Sequence, residues 1–261
     1  MGSHDRPAAE GVRPGHYPTS PVPRNHVAPA AKRVRGMVDG AWVFDTTSAL
    51  YLWEHPYYPQ YYIPDEDVFA EMLLDDGETA TNGRGLHQLH SIRTAGDRRC
   101  SAAMQVVETE VDGILRWWRF VWSSIDHWFE EDEEIFVHPR SPYVRVDAIA
   151  SSRLVRVEAG GVVLASTGSP VVVFETGLPP RCYLPKIAID WSNLSASALV
   201  TACPYKGATS RYWHVQIGGT TRTNAAWSYD FPTRQVLPIA GLVAFDDEQV
   251  DVVVEGAPAS S

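Results

Sequence analysis

VRGMVDGAWVFDTTSALYLWEHPYYPQYYIP (Val34–Pro64) and VRVEAGGVVLASTGSPVVVFETGLPPRCYLP (Val155–Pro185) are the same stretch written twice in one chain. Aligned without a gap, they share Val34/Val155, Arg35/Arg156, Gly40/Gly161, Thr46/Thr167, Ser48/Ser169, Glu54/Glu175, Pro59/Pro180, Tyr62/Tyr183 and Pro64/Pro185. That is 9 identities in 31 positions, where chance gives roughly two. Both copies read as short β-branched runs broken by Gly and Pro, the pattern of hairpins. In the second copy the strands are 153–158, 162–166, 171–175 and 181–184, with turns at Gly160-Gly161 and Thr176–Pro180.

Working outward, 212–217, Gly218-Gly219 and 220–229 read as a further hairpin, and 250–255 as a closing strand. Its expected counterpart in the first copy is 104–109, a turn at Val111-Asp112-Gly113, and 114–122. Helix signals are weak, with a turn or two expected at 69–75 and at 123–131. The fold class that follows is mainly β: two tandem, small antiparallel β domains forming a pseudo-dimer. The expected boundaries are a disordered Pro-rich tail over 1–32, domains over 33–138 and 145–256, a stiff connector over 139–144, and a short tail over 257–261.

The bulk properties narrow the function. A net charge of −10 with scattered basic residues disfavours nucleic acid as a partner, because phosphate binding needs a basic stripe. The densest charge run, Glu130–Glu134, is acidic and reads as a solvated linker. Three cysteines without a CxxC pair, Cys100, Cys182 and Cys203, fit neither a disulfide framework nor a self-contained zinc site. No apolar run is long enough for a transmembrane helix, and the N-terminus lacks a signal pattern, so a cytoplasmic protein without membrane partners is the expectation.

The candidate chemistry lies in the second copy. Cys203-Pro204-Tyr205-Lys206-Gly207 sets a thiol three residues from an amine, and a nearby ammonium favours the reactive thiolate. A structural loop with a buried Cys and a surface Lys is the plainer reading. Glu175 ends an apolar strand, where a carboxylate is costly unless paired, and Glu54 holds the same place in the first copy. Asn224-Ala225-Ala226-Trp227-Ser228-Tyr229 and Trp213 supply groups that can wall a pocket, or fill a core. Cys203, Lys206 and Glu175 are thus the candidate catalytic residues, and Tyr205, Trp213, Asn224, Trp227 and Tyr229 the candidate ligand-binding ones. In 212–217, alternation puts Trp213, Val215 and Ile217 on the apolar face and points His214 outward. His87 and His90 would share a face on a helical turn, but no third metal ligand is in register; neither a metal nor a cofactor is expected.

The motifs Val155-Arg156-Val157, FETGLPPRCYLP (174–185), CPYKG (203–207), Tyr212-Trp213, NAAWSY (224–229) and IAGLVAF (239–245) occur in order. In them the chain resembles the bacterial DUF427 family, a domain of unknown function, and the connector 129–147 resembles the join in its tandem members. The resemblance implies a small β-rich fold of two sheets meeting at an angle. In the first copy a longer polar stretch, 78–99, stands where CPYKG is expected, and Trp117-Trp118-Arg119-Phe120 replaces Trp-Ser-Tyr. If CPYKG carries the function, the first copy has lost it and serves as a partner domain; the alternative is a site shared between the two copies. The family's nickname, NTP_transf_9, suggests nucleotidyl transfer. That chemistry needs paired aspartates after a Gly-Ser turn, and behind Gly168-Ser169 no Asp-x-Asp follows, Asp190 standing alone. Three readings remain: a small-molecule enzyme, a non-catalytic small-molecule binding module, or a structural and interaction protein.

Overall fold

The structure is a computed structural model that describes residues 22–255; the expectations for 1–21 and 257–261 lie outside those residues. Two compact units divide at residues 141 and 142, and every strand pairing in both is antiparallel. No helix among the described residues is long and apolar enough to cross a membrane.

In the second unit, Val155–Ala159 pairs with Val162–Thr167 across the Gly160-Gly161 turn and, on its other side, with Asp251–Val254. A seven-stranded sheet runs Val146–Ala150, Val171–Glu175, Arg181–Leu184, Val243–Phe245, Thr220–Ser228, Arg211–Ile217, Leu194–Ser197. Strand alternation gives this sheet two faces. One carries Val172, Leu184, Trp213, Val215 and Phe245, which bury against Val155, Val157 and Leu164 of the small sheet to form the core. The other carries Val173, Tyr183, Tyr229 and Ala244, covered by Val236 and Ile239 of the 3-10 segment Arg234–Ile239. Each large apolar side chain so buried contributes on the order of 2 kcal/mol. The second face positions the site.

The first unit repeats this order. The strands Val34–Val38, Ala41–Thr46, Leu50–Leu52 and Gln60–Tyr62, and the 3-10 turns Asp65–Asp67 and Ala70–Met72, each have a counterpart 121 residues later. Gln60–Tyr62 leads into the remaining strands through a backbone bridge between Ile63 and Trp118. The sheet continues as Trp118–Phe120, Arg98–Glu108, Gly85–Arg93 and Leu73–Asn82.

Several expectations change. The repeat starts before Val34, because Val27–Pro29 pairs with Leu50–Leu52 as Val146–Ala150 pairs with Val171–Glu175. Residues 22–32 are therefore not tail, and Val22 and Ala30 are buried. Pro29 hid this strand from pattern reading, but it sits at a sheet edge where the missing N–H is tolerated. The segments 69–75 and 123–131 each give one 3-10 turn and then strand, Leu73–Asn82 and His127–Glu130. The first unit's partner of the 212–229 hairpin is Gly85–Arg93 with Arg98–Glu108, so Trp118–Phe120 corresponds to Val243–Phe245 and not to Trp-Ser-Tyr. Nor is the acidic run all solvated. Glu130 is 2% exposed; it pairs with Lys32 (2.5 Å) and Arg140 (2.7 Å) and accepts the Tyr61 hydroxyl (2.8 Å).

Candidate functional site

One register row across the large sheet of the second unit builds the site. Tyr183 pairs with Ala244, Ala244 with Trp227, and Trp227 with Tyr212. Residues in one row point to the same face, so three aromatic side chains stand on it, with the small Ala244 leaving room between Tyr183 and Trp227. The result is a cleft of about 250 Å³, lined by these three aromatics together with Glu175, Lys206 and Tyr229. Val173, Leu178, Pro179 and Arg181 complete its wall. The Arg181 guanidinium lies 5.4 Å from the Trp227 ring centre and is held by the Phe245 carbonyl and Asp247.

The polar floor is an ion pair. Lys206 Nζ donates to Glu175 Oε2, with the two side chains only 14% and 12% exposed. The loop carrying Lys206 is fastened from behind: the Thr233 hydroxyl donates to the Tyr205 carbonyl, and the Thr233 N–H to the Lys206 carbonyl (3.1 Å). Burial works against the Lys206 ammonium, but electrostatic interaction with Cys203 and Glu175 outweighs it and lifts the pKa above the ordinary lysine value. Burial pushes the Tyr183 phenol up, and burial together with Tyr183 pushes Tyr229 up, so both stay protonated. The Tyr183 hydroxyl, fully buried, has no hydrogen-bond partner. The Trp227 indole interacts with its oxygen but falls outside good hydrogen-bond geometry.

Of the residues singled out in sequence, Glu175, Lys206, Trp227 and Tyr229 meet in this cleft. Cys203 is half-buried and acts on Lys206 electrostatically, but does not line the cleft. Tyr205 is not part of the cleft lining, and its carbonyl accepts the Thr233 hydroxyl. Trp213 is on the opposite face, in the core beside Trp191, because it is one residue out of phase with Tyr212. Asn224 has φ +56° at the β-bulge where the pairing slips between Trp213 and Val215. There it accepts the Ser197 hydroxyl (2.6 Å) and donates its N–H to His214 Nδ1 (3.1 Å), a turn-like role suited to Asn. Sequence reading missed Tyr183 and Tyr212 as lining residues. The signals were present: Tyr183 is matched by Tyr62, and Tyr212 alternates with an apolar face.

A family model described as a domain of unknown function (DUF427) matches the chain twice, over residues 26–131 and 147–256. The chain belongs to the DUF427 family. No curated protein sequence matches it. The two matched ranges begin at corresponding strands of the two units, so the DUF427 domain is the repeated unit itself.

The first DUF427 unit also places a cation beside the carboxylate that corresponds to Glu175. Its long hairpin turns at Asn82-Gly83-Arg84-Gly85, between the strands that flank CPYKG in the second unit. Arg84-Gly85 takes the place of Lys206-Gly207, and both glycines have left-handed φ, +124° and +92°. At Gly85 a Cβ would stand 1.8 Å from the Glu108 carbonyl oxygen, so only glycine fits. Glu54, the counterpart of Glu175, is 3.6 Å from Arg84 Nε and 3.3 Å from Arg119 Nε, and accepts the Tyr62 hydroxyl (3.1 Å). His87 and His90 lie on a strand rather than a helix, one buried and bonded to Asn82, the other edge-on to Trp118. Asp190 caps the turn Trp191–Asn193 by accepting from Ser192 and Asn193, which accounts for it structurally.

Proposed function

We propose that the second unit binds a small planar molecule between Tyr212, Trp227 and Tyr183, and acts on it by proton transfer at the Glu175–Lys206 pair. The observation that carries this reading is the buried ion pair, with an unpartnered phenol beside it, at the floor of an aromatic cleft. A buried pair is weak evidence for stability, since desolvation offsets its attraction. A buried donor without an acceptor costs about 1–3 kcal/mol. A ligand oxygen arriving in the cleft satisfies the Tyr183 hydroxyl and a free Lys206 N–H together. Glu175 is then placed to take a proton from the ligand, while Lys206 and Tyr183 steady the charge left on its oxygen. The cleft is at the small end of ligand-site volumes, which favours a compact substrate.

Cys203 is not the nucleophile in this scheme, since it does not line the cleft. The lifted Lys206 pKa works against the neutral amine that Schiff-base chemistry requires. A second reading, binding without turnover, draws on the mutual neutralisation of Glu175 and Lys206, which suits orientation as well as reaction. The two separate in one experiment. A compound that binds the wild type is incubated with wild type and with Glu175→Gln, following product by mass spectrometry. The enzyme reading predicts turnover that falls about 100-fold or more in the variant while binding persists. Binding without any product in the wild type supports the binding module, and a screen of small planar compounds in which none binds the wild type refutes both.

A further inference from the structure

We propose that the first unit holds a separate site for a small molecule bearing one oxyanion group, a carboxylate, gripped by Arg84. The argument is charge accounting. In the second unit one cation meets one carboxylate. In the first unit two guanidiniums, Arg84 and Arg119, share Glu54, and these three side chains are only 15% to 16% exposed. The Tyr62 hydroxyl donates to the same Oε1. Arg119 is nearer to Glu54 and also donates to the Phe120 carbonyl (3.1 Å), so Arg119 and Glu54 neutralise each other. The cluster of two guanidiniums and one carboxylate keeps one positive charge in excess, and the buried Nε of Arg84, 3.6 Å from Glu54, has no hydrogen-bond partner.

A guanidinium withdrawn from water in this way calls for an anion, and Arg's planar fork matches a carboxylate. Space for one is present: Arg84 lines an open cavity of about 1070 Å³ with Asn25, His26 and Asn82. Glu108, Glu110 and Asp112 line it as well. These are exposed carboxylates, screened by salt but sufficient to disfavour a polyanion, which is why a single oxyanion is the class that fits. His87 reports on the site. It donates from Nε2 to Asn82 Oδ1 (2.9 Å), and burial and then the Arg84 charge hold its pKa down. An anion on Arg84 raises it.

The test is an acetate titration of the full chain at fixed ionic strength, with chloride as the balancing salt, read by NMR at the Arg84, Gly85 and His87 signals. The site predicts saturable shifts confined to this hairpin and a rise in the His87 pKa. Arg84→Met weakens binding at least about tenfold. Arg119→Met also weakens it, because Glu54 turns to Arg84, whereas Glu54→Gln preserves or tightens it. This ordering separates an anion grip from a merely structural pair. Shifts that stay linear, spread over the chain, or are unchanged in Arg84→Met overturn the proposal. Should Arg84→Met fail to fold, the wild-type map and Glu54→Gln decide alone: no saturation in the first, or lost binding in the second, overturns it equally.

Discussion

Lys206→Met breaks the ion pair at the floor of the second unit's cleft with little change in volume. The methionine keeps the apolar stem and removes the ammonium, leaving the Glu175 carboxylate buried and unpaired. Deleting one partner of a fully buried pair costs about 3–5 kcal/mol. Here the side chains keep 14% and 12% of their exposure, so some solvation survives and the expected cost is about 2–4 kcal/mol. Glu175→Leu leaves the ammonium alone and costs a similar amount. The double variant has nothing left unpaired, and the pair's own desolvation is relieved, so it falls within about 1 kcal/mol of wild type or above it. Urea unfolding of all four proteins, read at the second unit's transition, gives the coupling energy. The expected coupling, the two single costs less that of the double variant, is about 3–8 kcal/mol and favourable. Single variants that each cost under about 0.5 kcal/mol, or a double variant as unstable as the two singles summed, would refute the reasoning that the pair is buried and isolated.

Other outcomes follow from named contacts. Tyr183→Phe removes a buried hydroxyl without a partner, so the melting temperature rises, by roughly 1 kcal/mol in stability, while affinity for a cleft ligand drops; a stability loss contradicts the orphan assignment. His87 is held below its ordinary pKa of 6.5 by burial and then by Arg84. The folded state therefore resists its protonation: the stabilisation is complete above about pH 6.5 and is lost as pH falls below it. His87→Gln abolishes that part of the pH dependence, seen by comparing urea midpoints of the two proteins across the acid range. Gly85→Ala destabilises the first unit by about 3 kcal/mol or more, measured by the same unfolding. Among the thiols, Cys182 is buried with its pKa raised by burial, whereas Cys100 is exposed and Cys203 half-buried; native labelling followed by peptide mass spectrometry finds Cys182 slowest. Cys203→Ser keeps ligand affinity, since the thiol does not line the cleft.

Much of this was legible in the sequence, for physical reasons. The repeat and its Gly and Pro punctuation carried the strand order of residues 34–64 and 155–185, because turn residues and β-branched runs act locally. Glu175 and Lys206 stood out because a charge at the end of an apolar strand needs a partner. What stayed hidden depended on pairing between distant strands. That Tyr183, Trp227 and Tyr212 fall in one row follows from registers set across four strands, which no local pattern encodes. Trp213 looked like a pocket residue by type, and its phase relative to Tyr212 puts it in the core. The Arg84–Glu54 contact was concealed because the first unit extends its strands where the second has CPYKG, so alignment by motif found no match while alignment by hairpin did. Glu130 was lost in an acidic run because its burial comes from Lys32, Arg140 and Tyr61, all far from it in the chain except Arg140.

The central claim is that the aromatic cleft over Glu175 and Lys206 is where this protein meets a small molecule. It is tested most directly by a thermal-shift screen of small planar metabolites on the wild type and on Trp227→Ala. A compound at 100 times its dissociation constant adds about 2.7 kcal/mol, several degrees of melting temperature for a domain of this size. The account predicts at least one compound that shifts the second unit's transition in the wild type and leaves Trp227→Ala, still folded, unshifted. Compounds that stabilise both proteins equally would contradict it.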